Sequence, residues 1–346
     1  MYINKKNIDF NYSPKVGKDF KGRPIRMRID KLTLVGNIDN LSQENFVYEK
    51  LDSLSSHKYK KYRVQSIRGI DGKPYRKAVI IRNKVIPSPL LLRIDYFPIN
   101  HKTGDLRLEL HPQHLLPEEI DRLLCWLNKK LNMKLDDVLL NSWVTQVDVA
   151  VDIHSARLEY YIWGLKRSEK AEYFNENNGL PGLTLGSRRS QLYIYCYEKI
   201  DGYNDPIIRR MKRRSLMNIQ HNDYDSFLRI EARFRPRKNI GNKNKSMLLK
   251  NLMQMENPFT RLTVYKKNLN LKLAKNGFLK SCPCNPSMVK LKHCIKLSTK
   301  TLRLSHKHLN LIYESQLPLF DINMVWGFWP RCITRLGSRL KVIMKK

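Results

Sequence analysis

The 346 residues include 65 Lys and Arg against 31 Asp and Glu, a formal net charge of +34, and 42% of them are hydrophobic. That apolar fraction excludes wholesale disorder, and no apolar run approaches the roughly 18 residues that span a bilayer, so no membrane partner is expected. A positive surplus this large repels itself unless a polyanion neutralises it; nucleic acid is the first expectation, although RNA, the ribosome or an anionic lipid surface satisfies the same charge.

Residues 1–25 read as a polar, basic arm punctuated by Pro14, Gly17, Gly22 and Pro24. Their start, MYINKKNIDF, has no apolar signal-peptide core, which predicts a cytoplasmic protein. From about residue 26 to 240, short runs alternate apolar and polar residues with the period of strands. RMRIDKLTLVG at 26–36 is the first, followed by KAVIIR at 77–82, LLLRIDYF at 90–97 and LRLELH at 106–111, with KTGD at 102–105 joining the last two as a hairpin. A helix begins at Pro117: Glu118 and Glu119 complement its dipole, Lys129 and Lys130 stand near its end, and Ile120, Leu123, Leu124, Leu127 and Leu131 keep helical spacing. Strands WVTQVDVAVDI (143–153), SQLYIYCYEK (190–199) and FLRIEARFR (227–235) follow, with a helix expected around 155–173. The pattern predicts an α+β fold, a central mostly antiparallel sheet with helices on one face, over a domain spanning 26–240.

After that boundary, residues 237–346 carry 23 Lys and Arg against 3 Asp and Glu. The region 241–346 is therefore assigned a DNA-binding or accessory role, partly helical, with a helix expected over 246–255. Cys282, Cys284, His293 and Cys294 do not make a convincing zinc site, because one-residue Cys spacing around Pro283 is poor ligand geometry. The six cysteines are not spaced as a disulfide framework. No glycine-rich phosphate loop is present. His306-Lys307-His308 reads as surface, and Trp326, Phe328 and Trp329 as packing. Arg209, Arg210, Lys212, Arg213 and Arg214 read as phosphate contacts or a solvated charge run.

Splitting each strand into its two faces isolates the chemistry. Asp148 and Asp152 share a face against Val147, Val149 and Val151. Arg107, Glu109 and His111 oppose Leu106, Leu108 and Leu110. Arg229, Glu231, Arg233 and Arg235 oppose Leu228, Ile230 and Phe234, while Tyr193, Tyr195, Tyr197 and Lys199 share one face. A half-solvated sheet gives the same alternation by default, and among so many cations the carboxylates equally pair with Arg. Converging carboxylates would instead hold a hard divalent ion.

LTLGSRRSQLYIYCYEK at 183–199 resembles the Gly-Ser-Arg-Lys-Ser … Tyr-Asn-Lys segment of the Rep_trans replication-initiation family of plasmids and phages. TQVDVAVD at 145–152 resembles that family's Thr-Arg-apolar-Asp-apolar-Ala-apolar-Asp strand, with Gln146 in place of Arg. RLELHP at 107–112 and LRIEARFR at 228–235 are similar to its two Arg-apolar-Glu strands. These motifs keep the family's order and cover roughly 100 to 240; filamentous-phage nicking proteins show a similar order. The resemblance implies a rolling-circle initiator, a metal-dependent DNA endonuclease and strand transferase whose nucleophile is Tyr197. It would leave a 5′-phosphotyrosine and a 3′-OH primer. Glu109, Asp148, Glu231 and Asp152 would hold Mg²⁺ or Mn²⁺, and Lys199 and Arg188 would bind the phosphate or lower the tyrosine pKa. Implied partners are origin DNA, double- and single-stranded, and a host helicase and polymerase; a homodimer is also compatible. The chain departs from better-known nicking enzymes in lacking a His-apolar-His pair in its sheet region. Tyr193 and Tyr195 are rival nucleophiles should the register slip. Rival functions are a non-catalytic replication or transcription regulator on a degenerate nuclease fold, and a mobilisation relaxase.

Overall fold

A computed structural model describes residues 2–4, 8–9, 15–69, 74–85, 88–174, 179–202, 216–218, 225–240, 243–281, 283 and 285–344. The group Arg209 to Arg214 and the cysteines Cys282 and Cys284 lie outside them.

In chain order the elements that position the sites begin with β1 (Ile8–Asp9), β2 (Pro24–Gly36) and α1 (Leu41–Leu54). Asn40 caps α1 by accepting from the Gln43 amide at 2.8 Å. Then come β3 (Tyr62–Arg68), β4 (Tyr75–Asn83), β5 (Leu90–Pro98) and β6 (Leu106–Leu110). The expected hairpin turn between β5 and β6 forms on Gly104, whose φ of 87° suits a residue without a Cβ. Helix α2 (Pro117–Leu131) has the expected bounds and buries the expected stripe, Ile120 to Leu131, and it stops at Asn132 in the left-handed conformation. It is followed by α3 (Leu135–Leu140) and β7 (Trp143–His154).

The helix expected around 155–173 does not form. That stretch holds a single 3₁₀ turn at Leu158–Tyr160 and the strands β8 (Tyr161–Leu165) and β9 (Ala171–Phe174). Every residue of β8 is buried, so its apolar run has no two-fold alternation to betray a strand. The chain continues through β10 (Gly182–Leu185), β11 (Leu192–Asp201), β12 (Ser226–Phe234) and β13 (Lys243–Leu248). The helix expected over 246–255 is instead the end of β13 and a 3₁₀ segment, Leu249–Gln254. Then follow β14 (Leu262–Lys266), α4 (Leu269–Lys275), α5 (Met288–Thr299), α6 (His306–Glu314) and β15 (Gln316–Leu317). Short helices Ile322–Trp326, Trp329–Thr334 and Ser338–Ile343 end the chain. The architecture is α+β, with a large, mostly antiparallel sheet and a partly helical C-terminal region. No helix among the described residues is long and apolar enough to cross a membrane.

The chain forms two compact units, one of residues 1–27, 150–233 and 257–327, the other of 28–149, 234–256 and 328–346. In the first unit β9, β10, β11, β12 and the end of β7 are neighbours in that order, and β1 pairs in parallel with β11, Ile8 opposite Ile200 and Asp9 opposite Asp201. The strands β8, β14 and β15 form a separate antiparallel sheet. In the second unit the order is β7, β2, β6, β5, β4, β3, and α1 packs on β3, β4 and α2. Asp121 of α2 accepts from the Ser338 and Arg339 amides at 2.8 and 3.0 Å, which fastens the terminal helix to this unit.

Candidate active site

In the first unit β11 and β12 are neighbours, and their pleats aim alternate side chains to one face. Leu192, Ile194 and Cys196 of β11 and Leu228, Ile230, Ala232 and Phe234 of β12 are buried in the core. The opposite rows carry Tyr193, Tyr195, Tyr197 and Lys199, and Arg229, Glu231 and Arg233. Across them the Tyr197 hydroxyl donates to Oε2 of Glu231 at 2.9 Å. Both residues are partly exposed. Arg233 extends a nitrogen to 4.0 Å from the other oxygen of Glu231, and Lys199 lies over the Tyr197 ring with Nζ 5.9 Å from its centroid. A phenol, a carboxylate acceptor and two cations thus meet on two neighbouring strands.

Further along the same rows, Arg229 and Lys199 enter a buried ionic network. Arg229 is completely buried; its Nε donates to Asp152 Oδ1 at 2.6 Å and its Nη2 to Asp152 Oδ2 at 2.7 Å and Asp9 Oδ2 at 2.6 Å. Lys199 stands 3.7 Å from the same Asp9 oxygen. Guanidinium geometry matches a carboxylate two-pronged, and only such full pairing makes burial of a charge tolerable. Asp152, expected to ligate a metal, is therefore held by an arginine. Asp9, on a two-residue strand within a segment that reads as a loose arm, is a member of the network that the sequence did not reveal.

The rival tyrosines are set apart by their surroundings. Tyr193 is buried, and burial together with a hydrogen bond to Tyr195 pushes its pKa up to about 12. Tyr195 sits edge-on between Tyr193 and Tyr197, with centroids 4.9 and 6.1 Å away, and stacks on Phe174 at 6.1 Å. Gly182 makes room there: a Cβ at this position would lie 2.9 Å from Phe174 and 3.3 Å from Tyr197 Cβ. Arg188 is exposed beside the hydroxyls of Tyr193 and Tyr195, which hold its pKa up.

The second unit carries its own charged row. Arg93 and Arg107 both hold Asp95, Arg107 holds Glu109 at 2.6 Å, and His111 Nε2 is 3.3 Å from Glu109. Asp148 is buried, with Lys31 Nζ at 3.4 Å and Gln146 Nε2 donating at 2.9 Å. Burial alone would raise the Glu109 pKa; the hydrogen bond to His111 and the charges of Lys31 and Arg107 outweigh it and hold the carboxyl far below the ordinary range. Lys31 thus acts on both Glu109 and Asp148. Among the described residues no three His, Cys, Asp or Glu side chains gather as a metal cage.

Other sequence-marked residues are structural. His308 is not surface: it is buried, accepts from the Ser305 amide at 3.0 Å and packs edge-on against Phe278 at 4.4 Å. Trp329 is buried, its indole donating to the Leu252 carbonyl at 3.0 Å.

No protein-family model matches the chain, and no curated protein matches its sequence. Among solved structures, the rolling circle replication initiator protein from Geobacillus stearothermophilus is similar at 14% identity, over 61% of this chain and 74% of that one, with a TM-score of 0.30.

Proposed function

We propose that the chain is a rolling-circle replication initiator that nicks origin DNA with Tyr197 as the nucleophile. The observation that carries this reading is the hydrogen bond from Tyr197 to Glu231. A phenol with an ordinary pKa near 10 is a weak nucleophile at neutral pH and needs a base within hydrogen-bond reach. Glu231 is such a base, and the motifs of 107–112, 145–152, 183–199 and 228–235 supply the family context.

In the step proposed, the Tyr197 oxygen attacks the scissile phosphorus as its proton passes to Glu231. The new bond is O–P to tyrosine, and the bond broken is from phosphorus to the 3′ oxygen, which takes up a proton and leaves as a 3′-OH. One phosphodiester replaces another, so the covalent state keeps the energy for rejoining. Lys199 and Arg233 offer positive charge to the phosphate oxygens as negative charge grows there. The freed 3′-OH is the primer a host polymerase would extend behind a host helicase.

A divalent ion such as Mg²⁺ or Mn²⁺, when bound, would supply Lewis acidity to a reaction of this kind. Of the oxygen donors expected for it, Glu109 is held by Arg107 and Asp148 by Lys31 in the second unit, while in the first Asp152 is held by Arg229 and Glu231 accepts from Tyr197. These donors are committed to protein partners, so no step here is routed through a metal.

The test is nicking of a supercoiled plasmid carrying the cognate origin. Wild type should convert it to the open circle and Tyr197→Phe should not; equal nicking by the Phe variant removes Tyr197 from the role.

A further inference from the structure

The segment 262–317 has a composition unlike that of the rest of its unit, with eleven Lys and Arg against a single acidic residue, Glu314. Among the described residues none of those eleven cations is in an ion pair. The segment also has a core of its own. Leu269 and Leu273 of α4, Leu291 and Ile295 of α5 and Ile312 of α6 are buried together against Tyr265 of β14. The helices α5 and α6 are joined by residues 300–305, somewhat longer than the tight turn of a standard helix-turn-helix.

Helix α6 has only nine residues, a length that does not persist alone in water. It is fixed from within. Ser305 caps it, the buried His308 returns a bond to the Ser305 amide, and Ile312 anchors the far turn. Its exposed residues are His306, Lys307, Asn310, Tyr313 and Glu314. Every one can form hydrogen bonds and none is aliphatic. Lys290, Lys292 and Lys296 of α5, the helix before it, and Arg303 of the connecting loop are exposed as well.

We propose that residues 262–317 are a duplex-DNA reading module in which α6 enters the major groove while α5 and the 300–305 loop grip the phosphates. Three helices sharing one core, the last presenting hydrogen-bonding side chains and the preceding helix and loop carrying exposed cations, is the plan of helix-turn-helix readers. Asn310 suits adenine, which offers a donor and an acceptor side by side, and Lys307 suits guanine. Two other polyanions fit less well. An interfacial helix needs a continuous apolar face; the exposed large apolar groups of α5, α6 and their loop are the isolated Leu297 and Leu302 and the aromatic Tyr313, on three separate elements. The major groove of duplex RNA is too deep and narrow to admit a helix. The proposal does not depend on Tyr197, and it assigns sequence recognition to residues other than those around the phenol.

The test uses the full chain and a pool of random DNA duplexes, from which bound sequences are enriched, followed by fluorescence anisotropy on the enriched duplex over a salt series. Lys292→Gln/Lys296→Gln/Arg303→Gln should weaken binding to every duplex about ten-fold or more. The same change should flatten the log K against log salt slope by about 2 to 3, near 0.9 for each phosphate that is no longer neutralised. His306→Ala/Asn310→Ala should leave that slope unchanged, lose about ten-fold on the enriched duplex alone, and change the sequence that is enriched. Both variants should still form any Tyr197 adduct on a single-stranded oligonucleotide, which separates this proposal from the nicking one. All five positions are exposed, so unfolding temperatures should match wild type; a variant that unfolds early is replaced by the single Lys296→Gln or Asn310→Ala change. Wild-type binding by both variants overturns the proposal. So does equal affinity for an RNA duplex of the same sequence or for vesicles of anionic lipid.

Discussion

The hydroxyl of Tyr197 and the carboxylate of Glu231 are 2.9 Å apart on neighbouring strands, although 34 residues separate them in sequence. The strand pairing is what turns two unremarkable side chains into a phenol with a proton acceptor. Glu231→Gln keeps the shape and a hydrogen-bonding oxygen but removes the base. Single-turnover adduct formation on an origin oligonucleotide should fall by about 10²–10⁴-fold, with the unfolding temperature nearly unchanged. A variant as fast as wild type excludes Glu231 as the base.

The buried network next to the site should govern stability. Arg229→Met strands Asp152 and Asp9 as buried charges without their arginine, and thermal or urea unfolding should show a loss of about 3–5 kcal/mol. Asp9→Asn leaves the Asp152 fork intact and should cost clearly less. Equal losses would mean that the two carboxylates do not share the load as the geometry indicates.

Glu109 makes stability depend on acid. Its folded-state pKa is depressed, so the stabilisation is fully present above the unfolded glutamate value of about 4.3 and drains away as pH falls below it toward the folded value. Unfolding followed from pH 6 down to pH 3 should show this loss, and Glu109→Gln should blunt it. An unchanged acid profile in the variant would exclude Glu109 as the source.

Metal dependence is open to direct removal. Adduct formation should slow in EDTA and recover with Mg²⁺ or Mn²⁺, whose charge would add to that of Lys199 and Arg233. Adducts formed at the normal rate in EDTA would discard the metal while leaving the tyrosine assignment untouched.

Where period and caps agreed, the sequence was legible. Pro117, the acidic first turn and the spacing of Ile120 to Leu131 define α2, and the alternation in 106–111 and 227–235 gives β6 and β12 to within a residue. Legibility failed where burial was two-sided. Tyr161 to Leu165 are buried on both faces, so their apolar run carries no period. Asp148 and Asp152 read as one face of a half-wet strand, yet both are buried against cations from distant elements. The pairing of Arg229 with Asp9 spans 220 residues, and nothing in NKKNIDF marks Asp9 as a buried partner. The triple of tyrosines on β11 could be sorted only once Tyr193 was seen to be buried and Tyr197 to face a carboxylate.

The most direct test is to react the chain with a labelled single strand bearing the cognate origin, digest with protease, and sequence the peptide that retains nucleotide. The account predicts a 5′-phosphoryl nucleotide on Tyr197. A label on Tyr193 or Tyr195, or a cleaved strand with no protein attached, would contradict it.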